Sequence, residues 1–185
     1  YDNEKLEVIK TVETDILNYE AEYLLDSFRE NYTISNDGKL VVGRVFKSNE
    51  DGNESERIVV FNLQKDALIF EKEVSRIDNL VISPSNQFIV ANTSVNELAI
   101  YPLDDPDQII TMSIEPGYIK NIMISNDSQF VGVNYQEGLS NVYRLDNYEL
   151  VGSISGEILS LEVIDDKVEI VGLYNNIGTK YTDFE

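Results

Sequence analysis

The side chains of this chain that could do chemistry are oxygen ligands and carboxylates, because it carries 34 acidic residues and neither histidine nor cysteine. "NEDGNESE" (49–56) spaces oxygen-bearing side chains at Asn49, Asp51 and Asn53, the alternation that a calcium loop uses. Its glycine stands at 52 rather than at the sixth loop position, and no acid completes the ligand set, so the stretch reads as a solvated acidic loop. "LDDPDQ" (103–108) and "IDDK" (164–167) bring paired aspartates, but both sit at turns, where Asp caps backbone groups. Two carboxylates can flank a glycosidic bond, yet no pair here has a spacing that demands it. Without histidine the usual general base, the usual zinc nitrogen ligand and every His-dependent triad are missing. Without cysteine there is no thiol chemistry and no disulfide framework. No Walker loop and no Gly-x-Gly-x-x-Gly occurs. The expectation is a non-enzymatic chain with no cofactor and no metal; a carboxylate-based glycoside hydrolase or a calcium-dependent carbohydrate binder is the distant alternative.

The bulk properties fit a binding role. A formal charge of −20, from 14 basic and 34 acidic residues, repels phosphate backbones and anionic lipid surfaces. Nucleic acid and membranes are therefore not expected as partners. The charge reads as a solubility device or as a match for a basic protein or peptide. With 42% hydrophobic residues over 185 positions the chain can bury a core, and one domain is the default. No apolar run approaches the ~18 residues of a membrane helix. "YDNEKLEVIK" lacks the apolar centre of a signal peptide, so a cytoplasmic location is favoured, with a processed N-terminus left open by the initial Tyr1. The sequons at Asn31, Asn53, Asn92 and Asn126 matter only in a secreted eukaryotic chain.

The elements that must position these side chains repeat. Four segments start at a polar turn and run into an apolar strand: "ISNDGKLVVG" (34–43), "ISPSNQFIVA" (82–91), "ISNDSQFVGV" (124–133) and "VIDDKVEIVG" (163–172). The Ser, Asn, Asp, Pro and Gly positions supply turn chemistry, and the β-branched residues favour strands. Each segment reaches an aromatic on a later strand, Phe61, Tyr101, Tyr143 and Tyr181, at spacings of 40, 42 and 38 residues. Leu63, Leu103 and Leu145 follow two positions on, so aromatic and leucine share one face of a period-two strand. A further strand closes three of the units, in "ALIFEKEV" (67–74), "QIITMSI" (108–114) and "ELVGSI" (149–154).

Four strands every forty or so residues resembles the blade of a β-propeller, and more narrowly the WD40-like class; the resemblance covers about residues 31–185. It implies an all-β propeller of four-stranded antiparallel blades at about 31–74, 75–114, 115–154 and 155–185. The Trp-Asp pair of that class is replaced by Phe61-Asn62, Tyr101-Pro102, Tyr143-Arg144 and Tyr181-Thr182, and no Gly-His dipeptide exists. The polar network of true WD40 blades therefore cannot form, and apolar packing between blades is expected to hold the units together, with the four aromatics in it. The last unit lacks a fourth strand, and "KLEVIKTV" (5–12) has the character of one. Such a strand would close a four-bladed ring; the rival reading is a segment of a larger ring, completed by a second copy (a homo-oligomer) or by more of the parent protein.

Two insertions interrupt the spacing. The turn-to-aromatic distance is 24 residues from Asp37 to Phe61 but 16 from Ser85 to Tyr101 and from Asp127 to Tyr143, the excess lying in the loop expected at "FKSNEDGNESER" (46–57). The other is residues 13–30, where Leu17, Ala21, Leu24 and Phe28 share one helical face behind an N-cap at Thr14 or Asp15, predicting a short helix. In a propeller both insertions emerge on one face, the expected protein-binding surface. Its candidate side chains are Glu50, Asp51, Glu54 and Glu56 of the first loop, the loop tyrosines Tyr118, Tyr135 and Tyr174, and Arg76, Lys120 and Glu137; Arg76 and Lys120 have pairing with neighbouring acids as the alternative role. The function expected is a non-catalytic scaffold for protein–protein interaction through an acidic loop face.

Overall fold

The computed structural model describes residues 32–48, 54–105, 107–165, 167–174 and 177–182. The expected strand 5–12, the expected helix in 13–30, and Glu50 and Asp51 lie outside the described residues. The described chain is all-β. The first sheet takes β1 (Tyr32–Ile34), β2 (Leu40–Ser48), β3 (Glu54–Asn62) and β4 (Ala67–Val74). The second takes β5 (Leu80–Ile82), β6 (Phe88–Ser94), β7 (Glu97–Pro102) and β8 (Ile110–Ser113). The third takes β9 (Ile119–Ile124), β10 (Phe130–Tyr135), β11 (Leu139–Arg144) and β12 (Leu150–Ser155). The fourth has three strands, β13 (Glu157–Ile164), β14 (Lys167–Tyr174) and β15 (Ile177–Thr182). Within every sheet consecutive strands pair antiparallel, so each repeat unit folds as one meander.

Local chemistry sets these meanders. In the turn between the first two strands, the Ser35 hydroxyl donates to Asp37 Oδ1 at 2.7 Å and accepts from the Leu40 N–H at 2.9 Å. Ser125 repeats this with Asp127 at 2.6 Å and the Phe130 N–H at 2.9 Å, and Ser83 accepts from the N–H groups of Gln87 and Phe88. The Ser35 hydroxyl and then Lys39 hold the Asp37 carboxyl well below the usual carboxylate range. The fourth residue of each turn is left-handed, with φ of 68° at Gly38, 58° at Asn86 and 64° at Ser128. Glycine and asparagine adopt this region readily, whereas serine does so at roughly 1 kcal/mol.

Alternate residues of each strand then pack between sheets. Leu40, Val42, Ile58 and Val60 of the first sheet share a core with Ile89, Ala91, Ala99 and Tyr101 of the second. Val90, Leu98 and Ile100, on the opposite face of the second sheet, meet Val131, Val133 and Tyr143 of the third. Phe130 and Val142 meet Leu161, Val168 and Ile170 of the fourth. Tyr101 and Tyr143 therefore lie between sheets as expected. Phe61 lies with Val45 and Val59 on the other face of the first sheet, turned from the second. The first strands β1, β5 and β9 lie side by side, and Ile34, Ile82, Ile124 and Leu161 contribute to one cavity of about 350 Å³ that all four sheets line.

Two expectations need correction. The excess residues after Phe46 do not begin a loop: β2 and β3 extend to Ser48 and Glu54, with Phe46 opposite Glu56 and Lys47 opposite Ser55. The alternation of Phe46, Lys47, Ser48 and of Glu54, Ser55, Glu56, Arg57 suits a longer hairpin, so Glu54 and Glu56 belong to a strand. Nor does apolar packing alone join the sheets. In four places among the described residues, polar side chains grip both the N–H and the C=O of one residue on a segment leading into or lying along a neighbouring strand. Glu56 Oε1 accepts from the Ile77 N–H at 2.9 Å, while Arg44 Nη1 donates to the Ile77 carbonyl. Asn134 takes both groups of Ile158, each at 2.8 Å, and Asn126 takes both of Val163, at 2.7 and 3.3 Å. Tyr143 Oη accepts from the Glu115 N–H at 3.0 Å as Tyr135 Oη donates to its carbonyl at 2.8 Å. At the buried Ile77 and Ile158, at the approach to a strand or its start, these backbone groups cannot be left without partners, and side chains supply them.

Candidate functional site

An antiparallel meander places the links from one sheet to the next at the same end as the turns between second and third strands. At that end, residues 75–79 and 114–118 and the turns at 95–96 and 136–138 surround a cavity of about 730 Å³ between the second and third sheets. Its walls include Arg76, Asn79, Asn92, Val95, Tyr118 and Lys120. Three of the residues singled out in the sequence are thus brought together. Tyr118 is 66% exposed. Its backbone is fixed, because its carbonyl accepts from the Gln136 N–H at 2.9 Å and the Val95 carbonyl accepts from Gly117 at 2.9 Å.

The cations at this end are held by acids. Arg76 donates through Nε and Nη2 to Asp78 Oδ1 at 3.1 Å, and Lys120 Nζ lies 2.6 Å from Glu157 Oε2. Both remain largely solvated, so these pairs orient the side chains more than they stabilise the fold.

Tyr135 and Glu56 take other roles than those expected of them. Tyr135 is 5% exposed and lies beneath Gly117, where a Cβ would come within 2.6 Å of its ring. Burial and the neighbouring Tyr143 hydroxyl push its phenol up, so it stays protonated and donates to Glu115. It supports the loop that carries Tyr118 instead of meeting a partner. Glu56 is similarly turned inward, its side chain 11% exposed, with Arg44 Nε at 3.5 Å from Oε1. Burial raises its carboxyl above the ordinary range, while Arg44 pulls it down. The reason is the strand register: a residue that looks like part of an acidic loop falls on the inward face of a hairpin. Glu137 stays exposed in the turn after β10, beside a smaller cavity of about 350 Å³ shared with Glu115 and Pro116. Glu54 and Tyr174 lie at the ends of β3 and β14.

Asn79, Asn92 and Gln136 were not among the candidates. Asn92 and Asn134 are both the fifth residue of the second strand of their units, 42 positions apart, and that polar interruption of an apolar strand was the available signal. Asn92 Oδ1 accepts from the Asn79 N–H at 2.6 Å. Asn79, Asn92 and Gln136 thus line the cavity with amides beside one exposed phenol, the Asn92 carbonyl oxygen being engaged by Asn79. Among the described residues no group of three or more acidic side chains is arranged to hold a metal ion. Compared with known families and curated proteins, the chain matches no family model and no curated sequence.

Proposed function

We propose that the chain is a non-catalytic, WD40-like β-propeller scaffold that binds a protein partner through the face carrying Arg76, Tyr118, Lys120 and Glu137. The propeller reading is supported by four repeat units that fold as meanders, pack in series and line one cavity with strands of each. The binding role rests on one observation above all: a 66% exposed tyrosine, on a loop fixed by two buried tyrosine hydroxyls, stands beside an amide-lined cavity. A rigid aromatic anchor beside oriented polar groups is the usual composition of a binding hot spot. The excess of acidic residues favours a basic partner.

The test uses a displayed library of short peptides selected on the full chain. Tyr118→Ala is expected to weaken one class of the selected binders by about 10-fold or more, the loss of a hot-spot aromatic, with an unchanged melting temperature. If every binder is indifferent to Tyr118→Ala, this face is not the binding surface.

A second reading, a propeller segment that completes a larger ring, is favoured by Ile164 and Val171, 43% and 40% exposed on the fourth sheet. Their strand partners Lys167 and Ser160 place them on the face turned from the third sheet. Sedimentation equilibrium separates the two. The ring-completing reading expects a dimer that dissociates on Val171→Lys, whereas a cooperative, folded monomer removes self-association.

A further inference from the structure

At the opposite end of the same two sheets lies a second concavity, of about 660 Å³, and its chemistry differs from that of the first. Its floor is apolar, built from Phe88, Ile100, Pro102, Leu103, Ile110 and Leu145. Tyr148 forms part of its wall and is 38% exposed. No basic side chain is among its lining residues. The two turns that supply Leu103 and Leu145 also carry Asp104, Asp105, Asp146 and Glu149, all exposed. Lys72, on the neighbouring sheet, lies 3.6 Å from the solvated Asp107 of the same acidic turn. An apolar groove with an acidic rim is the complement of a segment that is apolar on one side and basic on its flanks.

Tyr148 is the second observation. Its φ is 64°, a left-handed conformation in which a bulky residue is a true outlier. The turn that holds it is closed by bonds from Tyr148 N to the Arg144 carbonyl at 3.0 Å and from Arg144 N to the Glu149 carbonyl at 2.9 Å. The first sheet has the same turn 82 residues earlier, and there the left-handed position is filled by Asp66, with φ of 54°. Aspartate adopts this region far more readily than tyrosine. The fold therefore does not require an aromatic at this position; the third sheet keeps one, under strain, where its ring walls the groove. Strain of this kind, held in place by surrounding structure, gathers at ligand-binding positions.

We propose that this groove is a second docking site, taking a basic amphipathic peptide segment of a partner protein. Aliphatic or aromatic side chains of the segment fill the space between Phe88, Leu103 and Leu145 and stack on Tyr148, while flanking Lys or Arg residues meet Asp104, Asp146 and Glu149. This site lies at the other end of the sheets from Tyr118 and stands without the function proposed for that face.

The test uses a displayed library of peptides of about 14 residues, up to roughly 45 Å when extended, selected on the full chain, with affinities read by fluorescence anisotropy. Basic, aromatic-containing peptides are expected, with binding weakened about 10-fold or more by Tyr148→Gly. Because glycine is at ease at this φ, the same variant is expected to melt at an equal or higher temperature, so lost binding cannot come from lost folding. Tyr148→Asn, also tolerant of this region, is expected to behave alike. The combined Asp104→Asn and Glu149→Gln variant is expected to weaken binding and flatten its salt dependence, and Tyr118→Ala to leave these peptides unaffected. The proposal is overturned if none of the selected peptides is weakened by the Tyr148 variants, if the peptides so weakened carry no basic residues, or if Tyr118→Ala abolishes the binding of those same peptides.

Discussion

Asn134→Ala is expected to lower the unfolding free energy by about 3 kcal/mol. The Asn134 amide, 1% exposed, accepts from the Ile158 N–H and from Ser140 Oγ, at 2.8 and 2.6 Å. It donates to the Ile158 carbonyl and to Asn121 Oδ1, at 2.8 and 2.7 Å. Truncation strands the Ile158 N–H and C=O at the start of β13, and each buried group left without a partner costs ~1–3 kcal/mol. The single Ser140 hydroxyl hydrogen can donate instead to the Gly156 carbonyl, 2.6 Å away, which limits the total. For a chain of this size the change corresponds to a fall in melting temperature of roughly 6–12 °C, read by calorimetry. A loss below about 1 kcal/mol would mean that water replaces the amide and that apolar packing alone holds the fourth sheet to the third.

Glu56→Ala is expected to cost about 3 kcal/mol, near the lower end for breaking a buried ion pair, because the Arg44 side chain remains 22% exposed and can reach water. The variant leaves the Ile77 N–H without its acceptor and the Arg44 guanidinium without its acid. Glu56→Gln keeps an acceptor for Ile77 and should cost less, about 1 kcal/mol. The pH dependence supplies an independent readout. Burial raises the folded pKa of Glu56 above its unfolded value, so between the two values the folded chain binds more protons than the unfolded one. The contribution of this group to stability is then greatest below the unfolded pKa, about 4.3, and declines as pH rises through the folded pKa. Subtracting the Glu56→Gln profile from that of the native chain should leave a difference that falls with rising pH above that point. A flat or rising difference would mean that Arg44, not burial, governs the carboxyl.

Both residues show where the sequence was legible and where it was not. Glu56 sits in a run of Asn, Glu, Asp, Gly and Ser that has the composition of a solvated loop. Only the register, with Glu56 opposite Phe46, turns it inward. Tyr135 has the same history: its place beside a turn suggested a partner-facing ring, but Gly117 leaves room for that ring beneath the loop, and it fills the space. Arg76, Tyr118 and Lys120, by contrast, were readable as surface residues of connecting segments, and those segments converge on one cavity.

Apart from the hairpin that extends past Phe46, the sequence by itself determined the strands and turns of the described residues. The period-two apolar alternation and the turns that start Ser-x-Asp or Ser-x-Ser, with Gly38, Asn86 or Ser128 at the left-handed position, are local properties, satisfied by atoms within a few residues of one another. The forty-residue recurrence then set the number of sheets. Tertiary structure decided what polar side chains do at the seams. Arg44, Glu56, Asn126, Asn134, Tyr135 and Tyr143 reach backbone groups 20 to 37 residues distant, from Tyr135 to Glu115 at 20 positions to Asn126 to Val163 at 37. Each composition is equally compatible with an exposed side chain. Which one turns inward is fixed only when two sheets meet and the buried N–H and C=O of the joining segment must find partners.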